Sequence, residues 1–78
     1  MNWVEVVSYF VKRLVKQPEL VTVSERSGPR GLELWIKVDP DDVGCLIGKR
    51  GQTIGALRGL VNAMPEGEAL KVEIEEDK

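Results

Sequence analysis

The sequence predicts an α+β fold, with three helices on one face of a three-stranded sheet in the order α-β-β-α-α-β. Three observations lead there. Apolar residues recur at helical spacing from Trp3 to Val15 and again from Thr53 to Met64. Alternation of apolar and polar residues marks Leu32 to Val38 and Leu70 to Ile74 as half-buried strands. A glycine-bracketed turn, Gly48-Lys49-Arg50-Gly51, separates two helical stretches. The 78 residues suffice for one small domain, 1–78, without a disulfide or metal.

Asn2 is placed to cap the first helix, with Glu5 as its capping-box partner. Trp3, Val6, Val7, Phe10, Val11, Leu14 and Val15 form the apolar stripe, and Pro18 ends the helix at about Lys16 or Gln17. Lys12, Arg13 and Lys16 suit the negative end of its dipole. Leu20 to Arg26 reads as a strand, 27–31 as turn chemistry, and Leu32 to Val38 as the second strand of an antiparallel hairpin. Leu32, Leu34, Ile36 and Val38 face one way; Glu33, Trp35 and Lys37 face the other. Trp35 on the polar face is either pinned by its strand neighbours or part of a protein interface, where tryptophan is enriched.

Asp39-Pro40-Asp41-Asp42 opens the next helix: Asp39 as N-cap, Pro40 at the first position, the acids complementing the dipole. The last helix runs from about Gln52 to Met64. Thr53, Ile54, Leu57, Leu60, Val61 and Met64 lie on one side, and Gly55 and Gly59 nearly opposite. Exposed glycines in a helix cost about 1 kcal/mol each relative to alanine. They point either to a partner chain approaching closely or to tolerated surface positions. Ala69 to Glu75 forms the final strand, with Leu70, Val72 and Ile74 inward, and 75–78 is expected as a frayed acidic tail.

Composition narrows the function. There is no histidine, which removes the commonest general base and metal ligand. No carboxylate is paired with a plausible nucleophile, so no catalytic residue, metal or cofactor is assigned and the chain is not expected to be an enzyme. Cys45 is the one cysteine, which fits a reducing cytoplasm. No apolar run reaches the length of a membrane span and the N-terminus lacks a signal-peptide pattern, so the expected location is cytoplasmic. The net charge is -2, which argues against indiscriminate nucleic-acid binding.

The turn at 48–51 carries the strongest functional signal. Its glycines permit close approach of the backbone to a ligand. The amides of Gly51 and Gln52 are expected as unbonded donors at the start of a helix, where an anion is favoured. Lys49 and Arg50 add mobile positive charge. A phosphate of a nucleic-acid backbone is the simplest ligand. A P-loop does not fit: Gly44 and Gly48 have three residues between them rather than four, and Arg50 stands where Ser or Thr should bind magnesium.

The wider stretch from Val43 to Ile54 resembles the KH signature, an Ile-Gly-x-x-Gly-x-x-Ile core between two helices. KH domains clamp about four nucleotides of a single strand with this loop. Nearly the whole chain is similar to the small bacterial single-KH proteins of the KhpA family, also called YlqC. The resemblance rests on Leu-Val-x-x-Pro-Glu (Leu14 to Glu19), Asp-Val-Gly at 42–44, Ile-Gly-Lys-x-Gly at 47–51 and Ala-Leu-Arg at 56–58. It implies the type II, prokaryotic KH arrangement and single-stranded RNA binding as an RNA chaperone or adaptor. By position, Gly48, Lys49, Arg50 and Gly51 would clamp the backbone. Val43, Gly44, Ile47 and Ile54 would shape an apolar groove for bases, with Gln52 beside the loop and Arg58 reaching a phosphate. It also implies self-association, and pairing with a larger KH protein called KhpB, Jag or EloR. The second functional reading is a protein-interaction subunit, with Trp35, Gly55 and Gly59 as its surface and RNA contact secondary. Cys45, Gln52 and Gly55 sit where the family frequently has a basic residue, which implies weaker phosphate attraction. The loop itself does not distinguish RNA from single-stranded DNA; RNA comes from the resemblance.

Overall fold

In the computed structural model, which describes residues 2–67 and 69–75, the chain runs α1 (Trp3–Leu14), β1 (Thr22–Gly28), β2 (Gly31–Lys37), α2 (Val43–Ile47), α3 (Gln52–Ala63) and β3 (Lys71–Ile74). The α+β order is the expected one. Asn2 caps α1, its Oδ1 accepting from the Glu5 amide at 3.2 Å. Trp3, Val7 and Val11 turn inward from this helix, Leu46 from α2, and Ile54, Leu57 and Val61 from α3. They join Leu34, Ile36, Val38, Leu70 and Val72 in one core, so the helices cover a single face of the sheet. No helix among the described residues is long and apolar enough to cross a membrane.

The strands lie in the order β1-β2-β3. β1 and β2 pair antiparallel, from Thr22 opposite Lys37 to Gly28 opposite Gly31, so Pro29 and Arg30 alone form the hairpin loop. β3 pairs parallel to β2, with Leu34 opposite Val72. Parallel neighbours need a long crossover, and here α2, the glycine turn and α3 supply it.

Several boundaries differ from expectation: β1 reaches Gly28 rather than Arg26, α2 begins at Val43 after a 3₁₀ turn at Pro40–Asp42, and β3 begins at Lys71 rather than Ala69. α1 ends at Leu14 rather than at Lys16 or Gln17, because Val15 is extended (φ -106°, ψ 162°). The amides of Lys16 and Gln17 turn instead to the Asp42 carboxylate, at 3.1 and 2.9 Å. β1 begins at Thr22 rather than Leu20, because Pro18–Leu20 forms a 3₁₀ turn closed by Leu20 N to Gln17 O at 3.0 Å. Glu75, expected both to end the last strand and to start a frayed tail, keeps to the sheet: its amide donates to Ile36 O at 2.8 Å and its carboxylate meets Arg26 at 3.2 Å. The rest of the expected tail, 76–78, lies outside the described residues.

Candidate nucleic-acid interface

The glycine turn reverses the chain between α2 and α3. Gly48 donates its amide to Gly44 O at 2.9 Å, closing α2, and then leaves the helix at φ 76°, ψ 175°. Arg50 (φ 58°, ψ 27°) and Gly51 (φ 75°, ψ 14°) are both left-handed. A left-handed residue other than glycine is uncommon, and Arg50 holds that conformation at a cost of about 1–2 kcal/mol. A β-carbon on Gly48 would lie 2.8 Å from the Thr53 amide nitrogen and overlap the Thr53 side chain. Glycine is therefore required at 48 by conformation and by space together.

Two amides at the end of the turn are satisfied within it. Gly51 N donates to Gly48 O at 3.2 Å, and Gln52 N donates to Lys49 O. This corrects the expectation that both amides stand unbonded at the start of α3: a short 3₁₀ turn at Lys49–Gly51 consumes them. What the loop offers outward is charge. Lys49 and Arg50 are exposed, and neither forms an ion pair among the described residues.

The other expected site residues separate by burial. Gly44 and Gln52 are exposed, and a β-carbon on Gly44 would meet nothing within 4 Å. Val43 and Ile47 are half-buried and pack against the core from its margin. Ile54 is 5% exposed and belongs to the core, which leaves little of it to touch a base. Arg58 was expected to reach a phosphate. Instead its Nε donates to Val72 O at 2.9 Å, and its guanidinium lies 3.8 Å from Glu73. Glu75 N bonds to β2, so alternation along the strand turns the main-chain groups of Val72 toward the free edge of β3. Arg58 covers part of that edge.

Of the expected protein-interface residues, Gly55 and Gly59 are exposed, with open space where a β-carbon would sit. Trp35 is half-buried on the outer sheet face. Its Nε1 donates to Glu33 Oε1 at 3.0 Å, and the Arg26 guanidinium stacks 4.5 Å from its ring centroid. It is pinned by strand neighbours, the first of its two readings.

Sequence reasoning missed two features. One is an apolar groove of about 420 Å³ between α1 and α3, formed by Phe10, Leu14, Leu57 and Leu60 with Arg13 at its side. Phe10, Leu14 and Leu60 are 38%, 41% and 45% exposed, although each had been placed on a core stripe. The signal was present: both stripes are wider than the arc one sheet can cover. The other is Asp42, 1% exposed and bonded to the chain just beyond α1. Nothing local in the sequence marks that partnership.

Comparison with known proteins agrees with this architecture. The family model described as "KhpA/KhpB, KH domain" matches residues 4–76. A protein of Leifsonia xyli subsp. xyli named "RNA-binding protein KhpA" is 39% identical, the match covering 91% of this chain and 93% of that one. A Clostridium perfringens protein of the same name is 41% identical over 91% of this chain and 95% of its own. One from Streptococcus pneumoniae serotype 4 is 37% identical over 85% of each. The matched stretch includes all three helices, the whole sheet and the glycine turn. The chain therefore belongs to the KhpA/KhpB family of KH domains, a family of RNA-binding proteins and not of enzymes.

Proposed function

We propose that this chain is a single-stranded RNA-binding protein of the cytoplasm, acting as an RNA chaperone or adaptor with its clamp at Gly48–Gly51. The observation that carries the reading is the loop itself: two exposed cations without ion pairs among the described residues, on a turn where Gly51 leaves open space beside the backbone. Because the Gly51 and Gln52 amides are spent inside the turn, phosphate attraction falls to Lys49 and Arg50. Val43, Gly44 and Ile47 border the loop, where unstacked bases would lie. The name carried by the relatives favours RNA over DNA.

The test is a fluorescence-anisotropy titration of short single-stranded RNA at several salt concentrations. If both cations each neutralise one phosphate, they contribute about -1.4 to the slope of log K against log salt. Lys49→Asp/Arg50→Asp, still folded, should lose that slope and nearly all affinity. Equal binding by wild type and variant would place the RNA elsewhere.

A second reading is favoured by the exposed α1–α3 groove, one wall of which is α3, and by exposed Gly55 and Gly59 on another side of that helix. A single four-nucleotide site binds weakly, and association adds avidity. We read this face as one through which the chain pairs with itself or with a larger KH protein of the KhpB type.

A further inference from the structure

Asp42 is the one buried charged side chain among the described residues, and RNA contact does not use it. Both of its oxygens are engaged: Oδ1 accepts from Lys16 N at 3.1 Å and Oδ2 from Gln17 N at 2.9 Å. Its own amide donates to Asp39 O at 2.8 Å, which fixes the carboxylate where the chain enters α2. α2 has only five residues, so Asp42 stands about 7.5 Å of helix away from the loop. From this arrangement we infer that Asp42 is a positioning residue: by tying the chain after α1 to the base of α2, it sets where the 48–51 turn stands.

The physical argument rests on the shortness of α2. A helix of little more than one turn has almost no stability of its own. Leu46 fastens its middle to the core, and its direction then depends on what holds its two ends. Gly48 N to Gly44 O closes the far end, and that bond lies within the helix. At the near end, the two bonds from Lys16 and Gln17 cross 26 and 25 residues of chain. Charge-assisted bonds from main-chain amides are roughly twice as strong as neutral ones, and a buried carboxylate left without them is costly. Losing the tie frees the α2 entry and, through one rigid turn of helix, the loop.

The RNA arm of the test rests on the proposed function; the exchange arm does not. In wild type, native-state hydrogen exchange should show the Lys16, Gln17 and Gly51 amides opening together, with one dependence on denaturant, below the global unfolding of Ile36 and Val11. Separate openings would overturn the inference, and this measurement needs no variant. In Asp42→Asn, Gly51 exchange should rise about tenfold more than that of the core amides, because the Nδ2 that replaces one of the two accepting oxygens can only donate. The folded variant should also bind RNA about fivefold more weakly, although removing a negative charge alone should tighten binding. Unchanged or tighter RNA binding, or an exchange increase spread evenly over the core, would overturn it. If wild type binds no RNA, the functional reading fails, and the exchange measurements still decide whether Asp42 holds the loop.

Discussion

Gly48 and Gly51 occupy matching places in the motif and do different physical work. Gly48 lacks room as well as freedom, since a β-carbon there meets the Thr53 amide and side chain. Gly51 lacks only freedom: its φ is 75°, but nothing lies within 4 Å of an added β-carbon. Gly51→Ala should therefore cost about 1–2 kcal/mol, the price of a left-handed residue. Gly48→Ala should cost roughly 2–5 kcal/mol, because overpacking adds to the conformational strain. Urea denaturation of the two variants checks the ranking, and equal losses would remove the steric argument at 48. Arg50 belongs at this scale too. It keeps a left-handed backbone that glycine would occupy more easily, so its charge is held against a local preference.

α3 is fastened along its length by side chains that reach the chain entering β3. Asn62 Nδ2 donates to Gly67 O at 2.7 Å and Leu70 O at 2.8 Å, and Arg58 continues the series at Val72 O. Asn62→Ala would leave two carbonyls without this donor. It should cost about 1–3 kcal/mol by thermal or urea unfolding; a loss under 0.5 kcal/mol would mean that water replaces the amide. This seam also shows where local pattern stops being informative. Periodicity made α1, α3, β2 and β3 legible, because each is written in residues three, four or two apart, and the Asp39-Pro40 cap marked the start of the short middle helix. The Arg58 bond is not legible locally, because its acceptor, Val72 O, belongs to a strand fourteen residues on. The end of α1 was misplaced for the same reason, since Asp42 acts from beyond the hairpin, whereas β1 starts late because of the local 3₁₀ turn at Pro18–Leu20. In the loop, the glycines and cations were visible, but the internal bonds of Gly51 and Gln52 depend on backbone angles that composition does not specify.

At the scale of the molecule, the open question is what covers the α1–α3 groove. If a second copy does, Leu60→Asp should convert an associated species to monomer in sedimentation equilibrium without lowering helix content, since Leu60 is 45% exposed. Gly55→Ala/Gly59→Ala should weaken association as well, while raising monomer stability by about 1 kcal/mol per site. An alanine variant that is more stable and equally associated would remove the glycine face from the interface. The parallel pairing of β3 has a separate consequence, for the order in which the chain folds. Gly28 meets Gly31 across a two-residue loop, whereas Leu34 meets Val72 only after the whole crossover is traversed. Closing the longer loop costs about 2 kcal/mol more in chain entropy. The hairpin can therefore form early and alone, while β3 has no partner until α2 and α3 have brought the chain back. The candidate clamp lies inside that returning segment, so on the folding pathway it matures with the last strand rather than with the first.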